Sequence, residues 1–445
     1  MKSSSVSPAR RIAFEILQRV ADGAYSSPLL AAREPELNAP DRALCHELVM
    51  GGLRWQLWLD RLIECYSNRK ISDLDRDVVL ALRLGLYQLR FLSRIPASAA
   101  VNESVKLTTL ARLRSAGAFV NAVLRRATRE PDVDPAREID DPVERLSVET
   151  SHPPWLLERW QAAFGLGETG AFARANNERA RVSFRVVKNR ASETDVCERL
   201  RHSGVTVVSS RITAGAWRVT GATSLLHELA ISGEIYFQDE ASQQVATLLD
   251  LQPGQRVLDV CAAPGSKTTQ MADLSLDASQ IFAGDLHEHR LKTIKAAAQL
   301  QRFESISCLA LDATRPLPFV DASFDRVLVD APCSGTGTLR QNPEVRWRLE
   351  FSDIVDLAQR QKLILGNAAK VVKPGGRIVY STCSVERDEN EDVVQWFLEN
   401  NSSFRMVELS YSGAMKVLPG AIRLWPHEDD TDGFFICVME RGESS

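Results

Sequence analysis

Apolar positions recur at two different periods along this chain, and the change of period divides it. Over residues 6–130 the period is helical. Ile12, Phe14, Ile16, Leu17 and Val20 recur near every third or fourth position, as expected of one face of a helix. Pro8 stands where a first helical turn tolerates proline. A second helical region is predicted over Asp41–Tyr66, with Leu44, Leu48, Leu53, Trp55, Leu59 and Leu62 on its apolar side. A third follows Asp73, carries Val79, Leu82, Leu86 and Leu89 on one face, and stops at Pro96. Two more are predicted near Ser98–Leu113 and Ala116–Arg129. Short connections between them predict an antiparallel bundle over residues 1–130.

Glu130–Thr150 holds eight acidic residues against Arg137 and Arg145, a composition that predicts a linker over 131–150. Residues 151–240 then predict a small α+β subdomain. It has a helix in HPPWLLERWQAAFG, a second near Glu193–His202, and strands over Val182–Val187, Val205–Val208, Trp217–Val219 and Glu234–Phe237. Arg179, Arg181, Arg185, Lys188 and Arg190 give it a basic edge suited to a nucleic-acid backbone.

From Ala241 to the end, strand and helix alternate. Strands are predicted over Arg256–Val260, Gln280–Gly284, Ile306–Leu311, Arg326–Asp330 and Arg377–Ser381. Helices near Ser266–Leu274, Glu288–Gln301, Asp353–Val371 and Glu389–Asn400 fall between or after them. That alternation predicts an α/β domain with a doubly wound parallel sheet over 241–445. Asp432–Glu440 is predicted as a late strand at the sheet edge.

Composition changes the picture in three ways. First, 445 residues exceed one ordinary core. Second, no run approaches about 18 apolar residues, so neither a membrane span nor a membrane partner is expected. The polar, basic N-terminal end lacks the apolar run of a signal peptide. Eight cysteines without a CxxC pair argue against a disulfide framework and against a metal site. They suit a reducing, cytoplasmic location. Third, the net charge of −4 is unevenly spread: residues 1–130 hold 20 Lys and Arg against 13 Asp and Glu. A basic region joined to an acidic remainder suggests a polyanionic partner. Arg112, Arg114, Arg125, Arg126 and Arg129 cluster at the end of that region.

The first strand of the last domain runs into DVCAAPGSKTTQ, Asp259–Gln270. Strand, turn and helix in this order build a nucleotide-type site, with Gly265 allowing close backbone approach at an open helix N-terminus. Asp285 ends the second strand, where a carboxylate accepts ribose hydroxyls. Asp312 closes the third, toward the adenine side. A P-loop needs GxxxxGK[ST], but Cys261 and Ser266 occupy its glycine positions. A dinucleotide site needs GxGxxG, and this loop has one glycine. A cofactor with one ribose, an adenine and no phosphate fits better: S-adenosyl-L-methionine (AdoMet).

The strand FDRVLVD carries Asp330 at its carboxyl end and leads into APCSG, with Cys333. The strand GGRIVYST leads into Cys383. Two thiols at the ends of strands predicted to be neighbours, beside an AdoMet site, fit methylation of pyrimidine carbon 5. That carbon is a poor nucleophile until a thiolate adds at carbon 6. A free cysteine of pKa ~8.5 is only a few per cent thiolate at pH 7, and lowering the pKa to about 7 raises that roughly fifteenfold, or about 1.6 kcal/mol. Asp330 stands where a proton donor to the ring nitrogen is needed.

Two resemblances bear on this. The run IPASAAVNESVKL…SAGAFVNAVLRR (Ile95–Arg126) is similar to NusB-like domains, helical bundles that bind RNA. FDRVLVDAPCSG, CAAPGSKTTQ and YSTCSVERDENE resemble the motifs of the Nop/Sun-type RNA cytosine-C5 methyltransferases over about 235–440. The resemblance implies a Rossmann-type AdoMet-dependent methyltransferase domain behind a NusB-like bundle and a small RNA-binding subdomain. It implies Cys383 as nucleophile and Cys333 as the residue that assists product release. It implies that Cys261, Ala262, Ala263, Pro264, Gly265, Ser266 and Lys267, with Asp285, Asp312 and Asp330, bind AdoMet. The implied substrate is a cytosine of 16S rRNA, free or within a small-subunit assembly intermediate. One departure stands after the thiol loop, where Arg340, Gln341 and Asn342 replace a basic, His-containing run. The alternatives are the same chemistry on tRNA or another rRNA cytosine, and a non-catalytic RNA-binding factor. A DNA cytosine methyltransferase would instead place its nucleophile in the loop after the fourth strand.

Overall fold

The computed structural model describes residues 5–221, 223–409 and 415–443, and the side chains of 415 and 416 are left aside. It comprises two compact units. One is Met1–Glu178 with Leu339–Arg348; the other is Arg179–Thr338 with Leu349–Ser445.

The first unit is helical. Helices span Pro8–Ala21, Ser26–Arg33, Ala39–Arg54, Gln56–Ser67, Arg76–Phe91, Ala97–Leu110 and Gly117–Arg129. Ile12, Phe14, Leu48, Leu62, Leu82, Leu86, Val120 and Leu124 meet in one core. The helical region expected over 41–66 is made of two helices that meet at Trp55. Ser151 Oγ takes the Leu57 amide at 2.9 Å, so a hydroxyl distant in sequence opens the second helix. Helix Ser26–Arg33 was not foreseen, because eight residues give too few turns for a period. The acidic stretch carries a helix over Pro142–Thr150, whose first amides are capped by Asp141. A further helix, Pro154–Ala175, is interrupted at Gly165, where φ is +81°.

Leu339–Arg348 belongs to this helical unit although it follows the thiol loop directly in sequence. Glu344 accepts the Ser26 amide and hydroxyl, both at 2.8 Å. Arg346 is fully buried and donates to Ser151 O at 3.1 Å and Asn177 Oδ1 at 3.0 Å. Trp347 Nε1 donates to Leu53 O at 2.8 Å.

The second unit contains two sheets. Strands β1 (Val182–Val186), β2 (Thr206–Ser209), β3 (Ala216–Thr220) and β4 (Ile235–Phe237) form an antiparallel sheet of order β2-β3-β1-β4. The larger sheet uses β5 (Arg256–Asp259), β6 (Gln280–Asp285), β7 (Ile306–Ala310), β8 (Phe324–Asp330) and β9 (Val372–Thr382). It is extended by β10 (Phe404–Met406), β11 (Met415–Leu418), β12 (Ala421–Leu424) and β13 (Phe434–Arg441). Its order is β11-β12-β13-β9-β8-β5-β6-β7, with β10 also on β13. β5 to β9 are parallel, and β13 runs antiparallel to β9.

The strand expected at the sheet edge, β13, lies inside it, between β9 and β12. β10, β11 and β12 are only three or four residues long, too short to show an alternation in sequence. From β5 the sheet grows one way through β6 and β7, and the other way through β8 and β9. That reversal places a crevice at the carboxyl ends of β5 and β8, the usual ligand position in such sheets.

Candidate active site

The loop after β5 is shaped by local contacts. Gly265 has φ +104° and opens the helix Ser266–Leu274. A Cβ there would also lie 3.2 Å from Ile294 Cα, so glycine is required twice over. Ala262 donates its amide to Gly284 O at 2.8 Å, and Ala263 donates to Asp285 at 3.3 Å. Pro264 lies between Ala263 and Gly265 in this turn, and Ser266 begins the helix. Asp285, ending β6, also accepts the His287 amide at 3.0 Å and pairs with Arg290 at 3.5 Å. Asp312, after β7, accepts the Thr314 amide and hydroxyl; chiefly that hydroxyl holds its carboxyl below the ordinary range.

Asp259 is buried at the end of β5. Its Oδ2 accepts from Thr268 Oγ1 at 2.7 Å. Burial pushes its carboxyl up to about 7. The Cys261 thiol is pushed well above its ordinary range by burial, then by Asp259, Asp330 and Asp285. It therefore stays protonated and is a poor nucleophile.

These residues suit AdoMet on chemical grounds. Three carboxylates, those of Asp285, Asp312 and Asp330, belong to the carboxyl ends of parallel strands or the turns after them. They would repel a pyrophosphate and favour a cationic sulfonium. The open N-terminus of the helix Ser266–Leu274 leaves amides for a nucleoside.

The thiols come from the next two strands. In the β8–β9 register Asp330 stands opposite Ser381, and Ser381 Oγ donates to Asp330 Oδ1 at 2.7 Å. Cys333 and Cys383 follow these positions by three and two residues, and their Sγ atoms are 3.2 Å apart. The loops carrying them are tied by Gly337, whose amide donates to Cys383 O at 2.9 Å. A Cβ on Gly337 would lie 2.1 Å from Gly433 O, so only glycine permits this approach. The Cys333 thiol is pushed well above its ordinary range, first by its bond with Cys383, then by burial and by the charges of Cys383 and Glu389. Cys333 thus keeps its proton beside the Cys383 sulfur.

Lys267 belongs to the cofactor loop in sequence, but its ammonium reaches Asp330 Oδ2 at 2.8 Å. Burial opposes that charge, the charge and hydrogen bond of Asp330 outweigh it, and the lysine pKa is raised. Spacing gave no sign of this pairing, since 63 positions separate the two residues.

One basic residue does not serve the edge expected of it. Arg185 is 3% exposed and donates to Gln238, Thr269 and Gln301. Burial lowers its pKa to about 10. It points into the unit because both faces of β1 are covered: Phe184 and Val186 pack into a core on one face, and Ser183 and Arg185 are buried on the other. Arg179, Arg181 and Lys188 are exposed, as are Arg112, Arg114, Arg125 and Arg129 of the helical unit. Arg181 is paired with Asp430 at 2.9 Å.

Comparison with known proteins matches three family models. Residues 246–440 match the 16S rRNA methyltransferase RsmB/F model. Residues 7–129 match the NusB family, and residues 152–225 match the ferredoxin-like domain of RsmF/B-like methyltransferases. The probable ribosomal RNA small subunit methyltransferase B of Bacillus subtilis strain 168 is 36% identical, with 99% of this chain and 100% of the relative covered. Its counterpart in Synechocystis is 35% identical, covering 97% and 99%. Among solved structures, that of PH0851 aligns at TM-score 0.85 and 28% identity, over 99% of this chain and 100% of that one. A methyltransferase homolog from Pyrococcus horikoshii aligns at TM-score 0.61 and 27% identity, over 68% and 100%. The architecture is accordingly a NusB helical domain, a ferredoxin-like subdomain and a Rossmann-like methyltransferase domain. With full-length relatives above 30% identity, the chain belongs to the 16S rRNA methyltransferase RsmB/F family.

Proposed function

We propose that this chain transfers the methyl group of AdoMet to carbon 5 of a cytosine in 16S rRNA, through a covalent bond from Cys383 to carbon 6. The observation that carries this reading is the 3.2 Å approach of the Cys333 and Cys383 sulfurs beside the Lys267–Asp330 pair. AdoMet, held by the loop from Cys261 to Lys267 with Asp285 and Asp312, supplies an electrophilic methyl group on a sulfonium.

The chain's own residues do the rest. Cys383 attacks as thiolate, its charge eased by the Cys333 S–H. As the C6–S bond forms, the ring nitrogen takes a proton from solvent by way of Asp330, which Lys267 holds in place, and carbon 5 becomes electron-rich enough to take the methyl. Cys383 is then a neutral thioether, which removes the interaction that chiefly raised the Cys333 pKa. Cys333 loses its proton to solvent and takes the carbon-5 proton. Those electrons restore the C5–C6 double bond, the C6–S bond breaks, Cys383 leaves as thiolate, and the ring nitrogen returns its proton. Exposed arginines and lysines on each unit suit a phosphate backbone. A substrate of this kind places the work in the cytoplasm, where ribosomes are built.

The test is a denaturing gel of protein with labelled 16S rRNA and AdoMet, followed by mapping of the modified base. Cys333→Ala is expected to accumulate a covalent RNA–protein band. Cys383→Ala is expected to give neither band nor methylation. A band with Cys383→Ala would exchange the two roles, and label only in tRNA would move the substrate.

A further inference from the structure

Beneath the thiols lies a carboxylate that the mechanism above does not use. Glu389 is fully buried. Its Oε1 accepts the Ser334 amide at 2.9 Å and Gln361 Nε2 at 3.0 Å. Its Oε2 accepts the hydroxyls of Ser334 and Ser384. Those serines are the residues that follow the two thiols, so one carboxyl group holds the neighbour of each. The same network reaches the other flanks. Gln361 Nε2 also donates to Pro332 O at 2.9 Å, just before Cys333. Asn390 Nδ2 donates to Ser384 O at 2.9 Å, and the hydroxyls of Ser334 and Ser384 are 3.0 Å apart.

An uncompensated carboxylate in this position would be costly, and four donors offset that cost. An apolar side chain would fill the space without the cost but would fix neither loop. The arrangement therefore makes sense as geometry. We propose that Glu389 is a positioning residue for methyl transfer, setting the separation of the two sulfurs by gripping the serine after each. This rests on the two-thiol reading above. It assigns Glu389 no contact with RNA or AdoMet.

Two measurements on the full-length protein test it. The first is turnover. Glu389→Gln keeps the size of the side chain but replaces one acceptor with a donor that faces two hydroxyls. Its kcat is expected to fall at least about tenfold, because misplaced reacting groups lose rate rather than affinity. The AdoMet Kd, RNA KM and melting temperature should stay near wild type. The pH at which Cys333 loses its proton, read as the alkaline fall of kcat, should also drop, since the neighbouring Glu389 charge is lost. The second needs no RNA. Phenylarsine oxide condenses with two adjacent thiols, forming two As–S bonds and releasing water. Wild type is expected to capture one equivalent that Cys333→Ala does not, and Glu389→Gln should lose that capture.

If Glu389→Gln does not fold, Ser334→Ala with Ser384→Ala removes the two hydroxyl donors, and the same two results are expected. Wild-type kcat together with wild-type arsenical capture would overturn the proposal. So would a kcat loss matched by weaker AdoMet binding and a lower melting temperature, which marks a merely structural residue. If wild type fails to methylate 16S rRNA, the functional reading falls, while the arsenical result still decides the role of Glu389.

Discussion

Residues 330–338 and 339–348 are adjacent in sequence, and both bury polar side chains. In the first stretch the polar groups surround a reactive pair: Asp330 meets Lys267 and Ser381, and Ser334 meets Glu389 and Ser384. In the second, Glu344, Arg346 and Trp347 satisfy backbone and side-chain groups of the helical unit, and none of their hydrogen bonds described above goes to a residue placed in the chemistry. The lesson is that burial of charge does not identify function. What separates the two stretches is whether the buried charge has a thiol for a neighbour.

The largest effect that would sharpen this contrast is at Lys267. Lys267→Met leaves Asp330, the residue proposed to support ring protonation, without its cation. Turnover should fall about 10³-fold, within the range for lost acid–base groups. Pre-steady-state methyl transfer, measured alongside a thermal melt, checks it. A variant that unfolds instead would place Lys267 with the second stretch.

Next comes Arg346. Arg346→Met keeps the apolar stem but leaves Ser151 O and Asn177 Oδ1 without their donor. We expect a loss of roughly 3 kcal/mol of stability, the usual scale for stranding buried polar groups. Urea unfolding followed by tryptophan fluorescence measures it. Turnover well below the melting point should change less than about twofold, as for a substitution away from reacting groups. A large kcat loss in a folded Arg346→Met protein would erase the distinction.

The two units should also answer pH with opposite sign. His152, fully buried beside Arg346, has its pKa lowered well below the ordinary value by burial and then by that guanidinium. The unfolded chain therefore binds a proton that the folded chain refuses. Its contribution to stability is intact above about pH 6.5 and lost below it, at up to about 1.4 kcal/mol per pH unit. Asp259 behaves the other way. Its folded value of about 7 lies above the unfolded one of about 3.9, so its contribution is full below about pH 4, falls as pH rises and is gone above about 7. Between about pH 4 and 6.5 the two slopes oppose each other, so His152→Gln should make stability fall more steeply with rising pH there, and Asp259→Asn should make it rise more steeply. Equal slopes in wild type and variants would contradict both burials.

Much of this was legible in sequence, and the remainder was not for identifiable reasons. The helix Glu288–Gln301 and strand β8 announce themselves by period and by an apolar run. The adjacency of Cys333 and Cys383 follows once β8 and β9 are seen as parallel neighbours. Glu389 was hidden because an acid inside VERDENE looks like part of a solvated run. The tie of Lys267 to Asp330 was hidden because contacts across a sheet leave no local pattern. Arg340, Gln341 and Asn342 stood out as a departure in RNA contact. That they belong to the helical unit is a tertiary choice no period encodes.

The smallest effect tests the second stretch at one hydrogen bond. Leu53 is in the last turn of the helix Ala39–Arg54, where carbonyls lack intrahelical donors. The amide that would continue the ladder, that of Leu57, is taken by Ser151 Oγ. Trp347 Nε1 supplies the missing donor at 2.8 Å. Trp347→Phe keeps an aromatic ring but no N–H. The Leu53 carbonyl should then go unpaired, at about 1 kcal/mol, the net worth of a typical hydrogen bond. Urea midpoints should register that loss while kcat stays unchanged. If the midpoint does not move, water has replaced the indole, and this part of the stretch is held by packing instead of by its polar group.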